Sequence, residues 1–303
     1  MALITTGSHP KALWPGIKAW WGRSYAEHKE EFPDLFDTET SDKAYEEDVE
    51  ISSFGLAPIK PQGSAINYDT ESQGQVNRYT HVAYALGYIV TFEELRDDLY
   101  EVVSKRRAKM LAFSARQTQE NVAANVYNRA FSSSYVGGDG VSLINSAHPT
   151  TTGGSQSNVL TTAADISEAA IEDLVIQVMQ ALNGRGLHIS LMPQSLHVPP
   201  QTWFEANRVL KSVLQNDTAN NAINVLKATN TFPKGIMLNH YFSSATAWFI
   251  RTNAPEGMKR YVRDAISFDQ DNDFDTKNAK AAIYFRESYG WSDWRQLYGT
   301  AGV

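Results

Sequence analysis

The chain has 303 residues, 42% hydrophobic and 20% charged, with a formal net charge of −7. This composition can bury a core and suits one large or two modest domains. The acidic balance argues against gripping nucleic-acid phosphates, because that affinity depends on Lys and Arg displacing counterions. The absence of cysteine excludes disulfides, thiolate zinc sites and cysteine nucleophiles.

The opening MALITTGSHPKALWPGIKAWW has neither a basic leader nor a signal-length apolar core, and no run approaches the ~18 apolar residues that span a bilayer. An intracellular, soluble product is expected. Residues 1–45 scatter Trp14, Trp20, Trp21, Tyr25, Phe32 and Phe36 between prolines, the pattern of an arm laid over another surface. From Tyr45 to Phe54 and from Val76 to Val90 the pattern turns β, with Val82, Tyr84, Leu86, Tyr88 and Val90 on one parity. A Gly- and Pro-rich stretch joins the two segments. A long two-stranded hairpin is marginal alone and needs another surface, which a neighbouring subunit can supply.

Thr91–Phe131 holds no Gly or Pro and predicts one helix of 41 residues, about 60 Å long. A compact chain of this size has a radius of gyration of only about 19 Å. The molecule is therefore expected to be elongated, or the helix to bend near Arg106. Thr91 with Glu94 has the form of a capping box, and acidic then basic residues follow the helix dipole. Phe92, Leu95, Leu99, Val102, Met110, Phe113, Val122, Val126 and Phe131 are expected to form a buried face.

After a polar loop, VGGDGVSLINSAHPTTTGGSQSN, Asp165 and Glu168 predict a second helix start, closed by Gly184 and Gly186. A strand through Leu196 and Val198 then leads by Pro199-Pro200 into an amphipathic helix over Gln201–Leu214. Further strands are expected at Gly235–Asn239, Ala247–Arg251, Tyr261–Phe268 and Ala281–Trp291. The class is α+β, without the rhythm of a doubly wound sheet.

The chemical motifs dissolve one by one. Asp269, Asp271, Asp273 and Asp275 resemble a calcium loop, but Phe274 stands where Gly is needed and Lys280 where the bidentate Glu is needed. Gly153-Gly154-Ser155-Gln156-Ser157 misses the nucleophile elbow at its last position. The seven histidines, His9, His28, His81, His148, His188, His197 and His240, show no paired metal spacing. Gly137-Gly138-Asp139-Gly140 follows a helix instead of opening one and reads as a helix-terminating turn. Lys105, Arg106, Arg107 and Lys109 read as a solvated helix face. No catalytic, cofactor-binding or metal-binding residue is expected, and the chain is not expected to be an enzyme.

Four segments, in this order, carry a resemblance: SARQTQENVAANVYNRAF after the hairpin, VSLINSAHPTTTGGSQSN, LHVPPQTWFEANRVL, and FDQDNDFDTKNAKAAIYFRESYGWSDWRQLYG. Together they make the chain resemble the major capsid (head) proteins of tailed bacteriophages, with the Hong Kong 97-like fold. The resemblance implies an N-terminal arm over 1–45, an extended β-hairpin loop over 46–90 reaching an adjacent subunit, and a peripheral domain with a spine helix over 91–164. It further implies an axial domain over 165–255 and closing peripheral strands over 256–303.

The implied function is self-assembly, through pentamers and hexamers, into an icosahedral head enclosing a double-stranded DNA genome. The implied partners are other copies, a scaffolding protein, a portal protein, decoration proteins and weakly contacted DNA, with no membrane and no cofactor. The implied place is the virion, after assembly in the host cytoplasm. Because the chain starts at Met1 and enters the arm at once, scaffolding is expected from a separate protein. Trp20 and Trp21 are candidate inter-subunit anchors, and Lys60 is the sole loop lysine for the covalent cross-link some relatives form. Two other readings stay open: an encapsulin-type compartment, and a hydrolase using His148 or Ser155.

Overall fold

A computed structural model describes residues 29–96, 100–214 and 222–303, and no side chain of 95–105. In chain order it contains α1 (Phe32–Leu35), β1 (Asp37–Thr40), β2 (Tyr45–Ile51), β3 (Gln73–Thr80), β4 (Val82–Val90), α2 (Phe92–Arg96) and α3 (Tyr100–Asn128). Then come β5 (His148–Pro149), β6 (Ser155–Gln156), α4 (Glu168–Met179), β7 (Pro193–Val198), α5 (Trp203–Lys211), α6 (Val225–Ala228) and β8 (Gly235–Leu238). The chain closes with β9 (Trp248–Thr252), β10 (Met258–Asn272), β11 (Ala279–Trp291) and β12 (Leu297–Thr300).

The strands form two four-stranded sheets and two ribbons. One sheet has the order β1-β10-β11-β4, with β1 parallel to β10 and the other pairs antiparallel. The second has the order β12-β9-β7-β8, with only β7 and β8 parallel. β2 and β3 form a separate two-stranded ribbon. The hairpin expected over 46–90 therefore ends at Thr80: Val82–Val90 instead pairs along β11, from Glu287↔Val82 to Ala279↔Val90. The single parity of its apolar residues belongs to a sheet strand with one covered face.

The single helix expected over Thr91–Phe131 is two. Thr91 does cap the first, accepting from the Glu94 N–H at 3.4 Å. The Glu94 carboxylate, however, takes Arg107 Nη2 at 2.8 Å and Nη1 at 3.2 Å instead of closing the capping box. In one straight helix those residues would lie about 20 Å apart along the axis, so α2 turns back on α3. The spine is α3, 29 residues and about 44 Å long.

Its buried stripe is also not the one expected. Ala108, Leu111, Ala112, Ala115, Ala123, Ala124 and Tyr127 are buried, while Met110 and Phe113 are exposed. Small side chains let the helix approach the sheet closely, where Ala108, Leu111, Ala112 and Ala115 meet Phe268, Ala281 and Ile283. Further along, Tyr127 is the hub of an aromatic cluster with Phe36, Phe242 and Phe249 at ring separations of 6.0, 5.4 and 5.2 Å. The side chains of the expected buried positions Leu95 and Val102 are not described, and Leu99 and the anchors Trp20 and Trp21 lie outside the described residues.

The helix expected from Asp165 starts two residues later. Ser167 is its cap, accepting from Ala170 N–H, and Asp165 instead accepts from the Val303 N–H at 2.9 Å. Pro200 opens a 3-10 turn, Pro200–Thr202, that feeds α5.

His197 of β7 is fully buried, with Nε2 at 2.8 Å from Ser195 Oγ and its ring stacked 6.0 Å from Tyr127. Burial, reinforced by Arg251 and Lys234, pushes its pKa down to about 3. An unfolded histidine titrates near 6.5, so below that pH the unfolded chain takes a proton that the folded chain refuses. Stability is lost as pH falls from 6.5 toward 3. Denaturant unfolding of the unassembled subunit at pH 6.5 and pH 4 should show a loss larger by roughly 3 kcal/mol in wild type than in His197→Gln. Equal losses would remove the buried neutral imidazole as the cause.

Candidate assembly surfaces

The β2–β3 ribbon is rooted where it crosses the β10–β11 hairpin. Lys259 of β10, 5% exposed, places Nζ 2.9 Å from Asp48 Oδ2 on β2, with Glu256 at 3.5 Å and Glu39 at 3.8 Å. Ser292 donates its hydroxyl proton to Asp48, so Tyr79 on β3 must donate to Ser292 Oγ. The Tyr261 hydroxyl adds a donation to Asp48 at 3.3 Å. Burial works to raise the Asp48 pKa, but the bonds from Ser292 and Lys259 outweigh it and hold the carboxyl below its usual range. Burial and the Asp48 charge push the Tyr261 phenol up to about 12. Gly290 makes the crossing possible: a Cβ there would stand 2.8 Å from the Tyr79 ring.

Beyond the ribbon, the loop over 52–72 presents a run of exposed apolar side chains. Phe54, Leu56, Ile59, Ile66 and Tyr68 are exposed, Ile59 at 95% and Tyr68 at 92%. From Ser72 to Arg78 the strand spans about 20 Å, so these groups stand away from the core at the ribbon root. A connected apolar patch of this kind marks an interaction site. Lys60 is exposed in the same loop. Smaller apolar exposures occur at Phe204, Val213, Ile223 and Val225 near α5 and α6, and at Phe274 in the β10–β11 turn.

His148 and Ser155 do not form a catalytic pair. His148 is fully buried against Trp294, the rings 4.2 Å apart and 11° from parallel. Its Nδ1 lies 2.6 Å from Asp139 Oδ2 and its Nε2 3.1 Å from Asn158 Oδ1. The Asn158 amide is fixed because its Nδ2 donates to the Leu143 and Leu297 carbonyls at 2.7 and 2.9 Å. Both ring nitrogens are therefore occupied by fixed oxygens inside a fully buried site, which leaves neither open to a substrate. Ser155 is exposed on β6, where it is paired to Pro149.

Gly137–Gly140 is likewise not a helix terminator. Gly137 N–H bonds the Val141 carbonyl at 2.9 Å, making a turn that presents Asp139 to His148. Asn158 and Lys259 carry no local motif, and the Leu297 carbonyl and Asp48 carboxylate that they meet come from distant segments.

Asp273 is taken by Lys280 at 2.7 Å, so the residue that breaks the calcium pattern fills the loop with its own cation. Among the described residues no group of three His, Cys, Asp or Glu side chains is placed to hold a metal, and no helix is long and apolar enough to cross a membrane.

Residues 75–299 match the family described as phage capsid protein. No curated protein sequence matches. Solved structures similar to this fold include the virus-like particle from Pyrococcus furiosus, at 10% identity and TM-score 0.51, covering 94% of this chain and 97% of that one. Microbacterium phage Oxtober96 matches at 8% identity and TM-score 0.53, over 91% and 92% of the two chains. Mycobacterium phage Adephagia matches at 11% identity and TM-score 0.51, over 91% of each.

Removing Asp48 would leave the Lys259 ammonium buried with only the more distant and exposed Glu39 and Glu256. Asp48→Ala should cost about 2–3 kcal/mol of unfolding free energy, measured by urea titration of the unassembled subunit. A cost below about 0.5 kcal/mol, the range of ordinary surface substitutions, would remove the pair as the ribbon's anchor.

Proposed function

From the premise that the chain belongs to the phage capsid protein family, we propose how its parts divide the work of building a shell. The protein is the major capsid protein of a tailed phage, structural and not enzymatic, with the Hong Kong 97-like fold and a place in the virion shell. It associates with copies of itself.

In the proposed division, residues 1–45 are an arm, although β1 within them pairs with β10. The ribbon and loop over 46–80 extend toward an adjacent subunit. β4, α2, α3 and the long β10–β11 hairpin make the peripheral domain. Residues 165–255 make the axial domain around capsomer axes, and β12 joins its sheet through β9. The shell is icosahedral, assembled from pentamers and hexamers in the host cytoplasm, and encloses double-stranded DNA. A scaffolding protein guides it, a portal occupies one vertex, and decoration proteins cover the outside. Net charge −7 supports weak contact with the genome, since a wall that contains DNA gains nothing from binding its phosphates tightly.

The observation that carries this reading is the exposed apolar loop, five large side chains held on a ribbon with no core of their own. Such groups supply contact area once a second subunit covers them. Lys60 stands exposed in this loop, and no cross-link through it is proposed.

Negative-stain electron microscopy of the purified chain, co-expressed with its scaffold, should show closed shells or capsomers that convert to them. Ile59→Asp with Tyr68→Asp should leave the unfolding free energy of the subunit within about 0.5 kcal/mol of wild type, because both sites are exposed. The same variant should lower shell yield by about tenfold or more, the effect of about 1.4 kcal/mol at one contact. Normal shells from the variant would exclude the loop as the main contact.

A further inference from the structure

The loop is held a second time, beyond its root, by a turn that lies far away in sequence. Asn183, in the turn following α4, donates from Nδ2 to Ser53 Oγ at 2.9 Å. Arg185 donates from Nη2 to the Thr70 carbonyl and stands 3.5 Å from Asp69 Oδ1. Asn183 Oδ1 accepts from the N–H groups of Arg185 and Leu187, both at 2.9 Å, so its amide is fixed with Nδ2 toward the loop.

The turn is buttressed from behind by the β5–β6 ribbon. Thr151 and Thr152 hydroxyls donate to the Gly184 carbonyl at 2.8 and 3.2 Å, and Gln156 Nε2 donates to the Asn183 carbonyl at 3.1 Å. The loop's own base is tied at the same level, with Ser52 and Ser72 hydroxyls 3.0 Å apart and Asp69 Oδ2 accepting from the Gly55 N–H at 2.8 Å.

We infer that the turn at Asn183–Gly186 is a releasable clasp that sets the direction in which the loop leaves the subunit, with Asn183 and Arg185 as its positioning residues. The inference rests on the reading that the loop meets a neighbouring copy. Two holds of unequal strength support it. The root is a charge-assisted network around a buried ammonium, which is costly to break. The clasp joins the half-buried Asn183 and Arg185 to exposed Ser53, Asp69 and Thr70 on the loop, where water can replace each lost contact at a cost well below that of the root. The loop can therefore pivot about the root while the subunit stays folded. A shell that uses one chain in both pentamers and hexamers needs that freedom, because the angle between neighbours differs between the two.

The chain has no cysteine, so Ser53→Cys with Asn183→Cys introduces the only two thiols, which a short bis-thiol reagent can bridge. Bridged subunits should stall as capsomers or form open, wrongly curved sheets, while the unbridged double variant forms closed shells. Closed shells of wild-type size with the bridge intact would overturn the inference. Independently, Ser53→Ala with Arg185→Ala, which keeps the Asn183 bonds within the turn, should raise the rate of protease cleavage within 53–70 of the free subunit about tenfold, with its unfolding midpoint unchanged. An unchanged cleavage rate would overturn the clasp. If wild-type chain with scaffold forms no shell at all, the assembly reading fails, and the cleavage rates alone still decide the clasp.

Discussion

A two-stranded ribbon cannot hold its own shape in water, and everything that projects from this subunit depends on how the β2–β3 ribbon is tied down. The knot at Asp48, Lys259, Ser292 and Tyr79 does this with polar groups instead of an apolar core. Directionality is the reason such a knot is useful. Apolar packing tolerates rotation, whereas a carboxylate shared among an ammonium, a hydroxyl and a phenol fixes the crossing of ribbon and hairpin. Gly290 and Gly138 keep the approach close, the first under Tyr79 and the second against the Val76 carbonyl. The apolar loop is consequently carried at a set angle, with its large side chains exposed and only its base held against the Asn183–Gly186 turn.

The rigid body behind that knot is built for close approach. The alanine stripe of α3 lets the spine lie against β11, and β4 covers the other edge of β11 through nine paired residues from Val82 to Val90. Burial of Glu287, 2% exposed, is compensated by Arg260 Nη2 at 2.6 Å, with the Tyr289 hydroxyl donating to its other oxygen at 3.0 Å. A second pin, His148 between Asp139 and Asn158, ties the loop after α3 to β12 through the Leu297 carbonyl. Each is a buried polar contact, and removing one partner would strand the other without a hydrogen bond, which is costly.

How much of this the amino-acid sequence disclosed follows from the range of each interaction. Local signals were readable: the Thr91 cap, and the strands expected over Ala281–Trp291 and Gly235–Asn239, which are found at Ala279–Trp291 and Gly235–Leu238. The break between α2 and α3 was not, since nothing but the Glu94–Arg107 pair reveals it, and that pair looks like an ordinary charge sequence along a helix. The buried stripe was misjudged because hydrophobicity ranks Met110 and Phe113 above Ala112 and Ala115, whereas the sheet selects for size. Asn158, Lys259 and Asn183 meet partners over a hundred residues away or on other elements, so no window of sequence contains both halves of their contacts. Order of segments across the whole chain, not any single motif, was what pointed to the fold.

The perturbed ionisable groups of the body are shifted by packing. Burial raises Tyr79, Tyr127, Tyr289 and Tyr298 and lowers His197, in every case toward the neutral form. A catalytic group needs its shift to bring titration near working pH, and it needs access to a reactant. These shifts move titration away from neutrality, and the side chains are sealed among aromatic rings or paired oxygens. Where burial raises a carboxyl pKa, at Glu50 and Glu120, the groups lie against Arg295 and the backbone N–H groups of Glu31 and Phe32 respectively. For these groups burial is the first cause of the displacement, whereas Lys43, Glu46, Asp69 and Asp273 are shifted chiefly by the hydrogen bonds they make.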